Sequence, residues 1–270
     1  MVSFDSFSLS AIVLIVLGGF AGGLVNGLTG FGTALSAMPF WLQAVSPPVA
    51  AQLGAAGGVA GQLLTFRAIW HAIDWRGLAP MLVAGLIGVP LGAALLPYVD
   101  THVFKTGIGV VLVAFAATML FTRSRVPVLR PRLSADAFVD VLLAGPPPKP
   151  RGGAADIVVG FVGGLMGGLA GMSGVAPTIW ASLQGWSKER RRGVFQAFNF
   201  TILAAVLIAH AVGGFVSPAL VTAVLLALPG TLLGVALGQW LFARLDDRGF
   251  DHVVLVLLGC AGIAQLVPPG

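Results

Sequence analysis

The sequence predicts an all-α polytopic membrane protein made of two inverted repeats, each a broken-helix hairpin followed by three transmembrane helices. Hydrophobic residues make up 57% of the 270 residues and charged residues only 9%, whereas a soluble domain is about a quarter charged. One glycine-rich stretch occurs twice, and the basic residues lie between apolar runs. The composition therefore indicates a membrane protein, the repeated stretch indicates a tandem duplication, and the positions of the basic residues indicate the orientation of the helices in the membrane.

The duplication is clearest in Gly22-Gly23-Leu24-Val25-Asn26-Gly27-Leu28-Thr29-Gly30-Phe31-Gly32-Thr33, which recurs as Gly163-Gly164-Leu165-Met166-Gly167-Gly168-Leu169-Ala170-Gly171-Met172-Ser173-Gly174. Positions 22, 23, 24, 27, 28 and 30 are identical in the two copies at an offset of 141. A short apolar segment with a proline, Pro39 or Pro177, follows each cluster. Glycine disfavours the helix interior and lets the backbone approach a ligand, so each copy predicts a break in a membrane helix. The alternative is close helix packing through small residues.

Ten apolar runs divide into two sets of five. The second run of each set is too short to cross the membrane as a helix, which takes about 20 apolar residues, so it forms a hairpin with the broken run before it. The first repeat spans residues 1–121, the connection 122–153 and the second repeat 154–270. The runs are Leu9–Leu28, Thr33–Val45, Pro48–Phe66, Leu78–Leu96 and Val103–Phe121, then Ala154–Leu169, Val175–Gln184, Gly193–Val212, Ala219–Phe242 and Val253–Val267.

The connection between the repeats is basic and is expected in the cytoplasm. Ser134 is placed to cap an interfacial helix over Ala135–Ala144. A stiff proline-rich linker, Gly145–Pro150, follows it.

Orientation follows from the fifteen Lys and Arg residues. A topology with both termini outside places all of them except Lys105 on the cytoplasmic side, as the positive-inside rule requires. Lys188, Arg190, Arg191 and Arg192 fall in a cytoplasmic loop after the second hairpin in this scheme. Each half then has an odd number of full crossings, so the second repeat is inverted relative to the first. Inverted repeats with broken helices are typical of secondary transporters, and we expect the inner membrane with both termini periplasmic.

The ionisable residues argue against catalysis. All ten acidic residues lie at run ends or in loops, and the four histidines are isolated. A paired-carboxylate site, a proton relay and a metal site are therefore not expected, and neither is a cofactor. Gly30-Phe31-Gly32 follows a membrane helix rather than a strand, which argues against a nucleotide fingerprint. Membrane orientation explains the net charge of +5, so no nucleic acid is expected as a partner.

Uncharged polarity around the two breaks remains as the candidate binding site. Helix N-termini present N–H groups and a partial positive charge, so two such ends could hold a small anion without a buried Lys or Arg. Alternatively, the hydroxyls and amides satisfy backbone groups freed by the breaks; this reading suits Ser36 and Thr178 at least as well. The substrate-binding candidates are Asn26, Thr29, Gly30, Phe31, Gly32, Thr33, Gln52, Gly171, Met172, Ser173, Gly174, Gln196 and Asn199.

The repeated pattern, Gly27-Leu28-Thr29-Gly30-Phe31-Gly32 through Pro39 and Gly168-Leu169-Ala170-Gly171-Met172-Ser173-Gly174 through Pro177, resembles the sulfite exporter TauE/SafE family, also called the toluene sulfonate uptake permease family. Members typically carry three glycines in a row after each Gly-x-Gly turn. This chain instead has Gly32-Thr33-Ala34 and Ser173-Gly174-Val175. The resemblance implies transport of sulfite, sulfonates, sulfoacetate or related organosulfur anions.

The sequence analysis therefore favours a secondary transporter that exports a small sulfur-containing anion. Its expected partners are the anionic solute and the lipid bilayer, and the oligomeric state stays open. An ion-coupled importer of organosulfonates and a membrane-embedded accessory or assembly protein without transport activity are the alternatives. An integral membrane enzyme is disfavoured because catalytic carboxylates and histidine clusters are missing from the sequence.

Overall fold

The computed structural model describes residues 7–66, 75–100, 102–104, 106–111, 113–114, 117, 153–183, 188–245 and 256. All regular structure within these residues is helical. A single 3₁₀ turn, Leu96–Tyr98, follows the fourth helix, and the described residues between 102 and 117 are helical as well. The α-helices are α1 (Leu9–Thr29), α2 (Thr33–Ala44), α3 (Pro47–Phe66), α4 (Trp75–Leu95), α5 (Ala154–Ala170), α6 (Val175–Leu183), α7 (Lys188–Val212) and α8 (Pro218–Phe242).

These bounds follow the apolar runs closely, with one correction. The basic residues from Lys188 to Arg192 were expected in a loop, but α7 begins at Lys188 and includes them. Lys and Arg are good helix formers, so a basic segment can extend a membrane helix beyond its apolar part. The predicted interfacial helix Ala135–Ala144 and the linker Gly145–Pro150 lie outside the described residues, as does the last run Val253–Val267 apart from Val256.

Four of the described helices are long and apolar enough to cross a membrane: Leu9–Thr29, Gly77–Tyr98, Arg192–Val212 and Pro218–Phe242. The third helix, α3, has 20 residues but is not among them, and it carries the buried polar residues Gln52, Gln62 and Thr65. Together with the two short helices α2 and α6, α3 therefore contributes polar groups and helix ends to the interior of the bundle.

Glycines spaced four residues apart bring α1 and α8 into backbone contact. A Cβ at any glycine of this row would collide with a carbonyl oxygen of the facing helix. The glycines of α1 are Gly19, Gly23 and Gly27, which face Ala227, Thr231 and Val235; those of α8 are Gly230, Gly234 and Gly238, which face Val16, Phe20 and Leu24. This is the close approach that small residues permit between membrane helices.

The pair α4 and α5 is built in the same way. Gly160, Gly164 and Gly168 of α5 face backbone carbonyls of α4, and Gly88 and Gly92 of α4 face α5. At the repeat offset, these three α5 glycines correspond to the three of α1. Close packing is therefore the role of these glycines, whereas the break interpretation applies to the glycines that follow each helix. The two extensive pairs, α1 with α8 and α4 with α5, are joined by contacts between α3 and α7.

Candidate functional site

The first break separates α1 from α2. Gly30 ends α1 with φ +80° and donates its N–H to the Asn26 carbonyl at 2.7 Å, and Gly32 precedes α2 with φ +87°. Both conformations lie in the left-handed region that favours glycine. Thr29 stabilises the turn, because its hydroxyl lies 2.9 and 2.8 Å from the carbonyl oxygens of Val25 and Phe31 and accepts from the Phe31 N–H at 3.1 Å.

The second break separates α5 from α6 and has a similar form. Gly171 ends α5 with φ +67°, and its N–H donates to the Gly167 carbonyl at 2.8 Å. Thr178 donates to the Gly174 carbonyl at 2.6 Å, as Ser36 donates to the Gly32 carbonyl at 2.9 Å in the first break. These two hydroxyls satisfy backbone carbonyls of the breaks, which is the structural alternative considered for them.

The two breaks touch each other. A Cβ at Gly174 would lie 2.6 to 2.9 Å from three atoms of Phe31, so only a glycine accommodates the ring. Phe31 also packs edge-on against Phe195 of α7, with ring centroids 5.2 Å apart. The second break in turn contacts α3, since a Cβ at Gly171 would lie 2.8 Å from the Ala51 carbonyl oxygen. The glycine clusters are thus neighbours inside the bundle, although 141 residues separate them in the chain.

Asn26 lies at the first break and is completely buried. Its Nδ2 donates to the Thr33 hydroxyl at 2.9 Å and to the Gly58 carbonyl at 3.3 Å. One amide group therefore links α1, α2 and α3. Its Oδ1 has no hydrogen-bond partner within the described part of the chain, and burying a polar atom without a partner costs about 1 to 3 kcal/mol.

A second set of amides surrounds Gly30. Gln62 of α3 donates through Nε2 to the Gly30 carbonyl at 3.2 Å. Gln196 of α7 lies on the other side, where a Cβ at Gly30 would approach its Cγ to 2.5 Å. Thr65 connects the two glutamines: it donates to the Gln62 carbonyl at 3.1 Å and accepts from Gln196 Nε2 at 2.6 Å. The first break is therefore enclosed by α3 and α7.

Arg192 brings a positive charge to this region. Its Nη2 donates to the Gly27 carbonyl at 3.0 Å, in the last turn of α1. Its guanidinium lies over the Phe242 ring, 4.0 Å from the centroid, and its buried Nε has no partner among the described residues. A cation near a helix C-terminus is stabilised by the helix dipole. The expectation of a site without a buried Lys or Arg is thus modified by the half-buried Arg192.

At the second break, Ser173 donates a hydrogen bond to Oδ1 of Asn199 on α7. Ser173 is fully buried and Asn199 nearly so. Because the carbonyl end of the Asn199 amide already accepts from Ser173, only its N–H₂ group is available to donate to a ligand. This junction therefore offers donors to a ligand.

The structure brings most sequence-predicted candidates together. Around the first break lie Asn26, Thr29, Gly30, Phe31, Gly32, Thr33 and Gln196, and around the second lie Gly171, Met172, Ser173, Gly174 and Asn199. Gln52 is buried on α3, and its Oε1 has no partner in the described structure. It is adjacent in sequence to Ala51, whose carbonyl approaches Gly171, but none of the described hydrogen bonds links Gln52 to either break.

Sequence analysis missed Gln62, Thr65 and Arg192. The two polar residues near the end of the run Pro48–Phe66 were the available signal, since buried amides and hydroxyls need partners. Their partners could not be inferred, because the contact between the end of α3 and Gly30 depends on the folded packing. Among the described residues, no three His, Cys, Asp or Glu side chains are grouped as metal ligands.

Helices of this length and apolarity define an integral membrane protein. The sequence profile of the family described as Sulfite exporter TauE/SafE matches residues 15–264, nearly the whole chain. The chain belongs to this family, which indicates a membrane transporter of sulfur-containing anions rather than an enzyme. Neither a curated protein nor a solved structure matches the chain.

Proposed function

We propose that the protein is a secondary transporter that exports a small sulfur-containing anion such as sulfite, a sulfonate or sulfoacetate. Contact between the two breaks carries the proposal, because Gly174 meets Phe31 and the N-termini of α2 and α6 therefore lie near each other. Helix N-termini attract anions through their N–H groups and dipole. The family supplies the sulfur chemistry.

The same proposal includes two inverted repeats around this centre. Helix packing supports it: α1 of the first repeat packs on α8 of the second, and α5 of the second packs on α4 of the first. An exchange of the repeats turns one pair into the other, as expected for halves related by a two-fold axis. Alternating access would then be a rocking of one half against the other around the bound anion. Both termini would be periplasmic, and the domain limits would be 1–121, 122–153 and 154–270.

We assign anion binding to the backbone of Gly30–Thr33 and Gly171–Gly174 together with Asn26, Gln196 and Asn199. Thr29 and Gln52 belong to the wider site. The Thr29 hydroxyl already holds the turn of the first break, so its contribution is to keep that backbone in place.

The membrane potential favours export. It is worth about 2.3 kcal/mol per charge per 100 mV, so an interior negative by that amount expels a monovalent anion with a bias of roughly fifty-fold. Export needs no coupling ion under this bias. Uptake of the same anion would need a co-transported ion.

Flux into and out of vesicles tests this function. The purified chain is reconstituted, the potential is clamped with potassium and valinomycin, and proton and sodium gradients are removed. We expect labelled sulfite or sulfonate to follow the potential, with Asn199→Leu inactive and Thr201→Val active. Thr201 is a matched control on α7, since its hydroxyl donates only within its own helix, to the Ala197 carbonyl. Flux that requires a sodium or proton gradient would favour the ion-coupled importer, and no flux with any of these anions would favour the accessory protein.

A further inference from the structure

Three buried amides lie at the first break, and backbone carbonyls fix the orientation of two of them. Asn26 and Gln62 each turn their N–H₂ group toward a backbone carbonyl, of Gly58 and Gly30 respectively, and a carbonyl accepts only from the nitrogen end of an amide. In each case the carbonyl oxygen of the amide is left without a partner.

The third amide, Gln196, is fixed less directly. In the structure the Thr65 hydroxyl donates to the Gln62 backbone carbonyl and accepts from Gln196 Nε2. Gln196 Oε1 then has no partner among the described residues either. Flipping Asn26 or Gln62 would place an amide oxygen against a backbone carbonyl oxygen. The first break thus contains three buried acceptors that no group of the described structure satisfies.

Buried acceptors without partners are suited to a ligand that donates a hydrogen bond or to a cation. A cation is disfavoured by Arg192, whose side chain contacts the same turn: its Nη2 bonds to the Gly27 carbonyl, and its Cγ would lie 3.3 Å from a Cβ at Gly30. The hydrogen-bond partners described for these amides are hydroxyls and backbone carbonyls, and none is an acidic side chain. The local charge therefore favours an anion, and the amide oxygens favour an anion that carries a hydrogen.

We propose that the site selects a sulfur oxyanion bearing a hydrogen-bond donor, either a protonated oxyanion such as hydrogensulfite or a sulfonate with an N–H or O–H group. The donor is directed to the amide oxygens of Asn26, Gln62 and Gln196 at the first break, and the oxyanion to Arg192 and the N–H₂ group of Asn199. A fully deprotonated oxyanion would place its lone pairs against these amide oxygens. This inference rests on the proposed transport function and narrows its substrate class.

Sulfamate and methanesulfonate test it directly, because both are monoanions of similar shape and only sulfamate carries N–H groups. Competition of each with labelled sulfite is measured for the reconstituted full chain at constant pH. We expect sulfamate to bind at least tenfold more tightly, which corresponds to about 1.4 kcal/mol. The variants Gln62→Leu and Gln196→Leu should reduce the ratio toward one. Gln43→Leu should not, because Gln43 is exposed and donates within its own helix to Pro39.

The outcomes separate the donor inference from the proposed transport function. Equal affinities of wild type for the two anions overturn the donor inference and leave the transport function standing, whether or not the glutamine variants fold. Sulfite flux that neither anion inhibits also overturns it. If the two affinities are equal and both rise with sodium, a cation occupies the acceptors and the inference is wrong. No flux with sulfite or any sulfonate overturns the transport function and this inference with it.

Discussion

The contact between the two breaks predicts a specific effect for Gly174→Ala. The new methyl group would lie 2.6, 2.8 and 2.9 Å from Cδ2, Cβ and Cγ of Phe31, whereas apolar atoms pack at about 3.5 to 4.0 Å. Neither Phe31 nor Gly174 has room to retreat, since both are buried between helices. Overpacking of this kind costs about 1 to 3 kcal/mol. If that cost falls on the anion-bound arrangement, sulfite affinity drops by about 5-fold to 150-fold.

The assay compares thermal unfolding in detergent and sulfite affinity for wild type, Gly174→Ala and Gly193→Ala. Gly193 is a matched control, because a Cβ there meets no atom within 4 Å and alanine favours the helix by about 1 kcal/mol. Shortening the ring by Phe31→Leu in the Gly174→Ala background should restore part of the loss, as interacting neighbours do in a double-mutant cycle. If Gly174→Ala matches Gly193→Ala in both stability and affinity, the breaks do not meet at Phe31.

Three further predictions concern the site, the packing and the topology. Asn199→Leu should abolish sulfonate binding but not membrane insertion, because it removes the amide held by Ser173; unchanged affinity, measured by calorimetry, would make Asn199 purely structural. Gly23→Ala and Gly164→Ala should each lower the melting temperature, because a Cβ there collides with the carbonyl of Thr231 or Gly85; stability equal to wild type would contradict the packing. Reporters at the N-terminus and after Gly270 should both be periplasmic, and one within 129–149 cytoplasmic; opposite termini would exclude inverted repeats.

The helix bounds and the breaks could be predicted from the sequence because they depend on local properties. Apolar length determines where membrane helices run, and Gly30, Gly32 and Gly171 have the positive φ values that glycine tolerates best. The same reasoning could not separate Gly27 from Gly30. Both belong to one glycine cluster, yet Gly27 packs against Val235 and Gly30 forms the turn. That distinction depends on the partner helix, about 200 residues away.

The amide network could not be predicted for a related reason. Repeat matching draws attention to positions that agree between the halves, such as Gln52 and Gln196. Gln62 and Arg192 have no polar counterpart at the repeat offset, where Val206 and Pro48 stand. Their contacts with Gly30 and Gly27 also join segments distant in the chain. Lack of a counterpart is not the whole reason, since Asn26 and Asn199 stand opposite Gly167 and Ala55 and were still predicted. What the sequence could not supply is the long-range contact.

This difference between the halves bears on how the transporter would work. The glycine rows and breaks are shared by both halves, as two interchangeable packing states require. The polar groups differ: Asn26, Gln62, Gln196 and Arg192 gather at the first break, whereas Ser173 and Asn199 form the main polar pair of the second. A small anion with one donor group is itself asymmetric. The protein can hold it in a single orientation only when the polar groups of the first break differ from those of the second. The features shared by both halves would thus allow the rocking motion, and the polar residues that differ between the halves would determine which anion is transported.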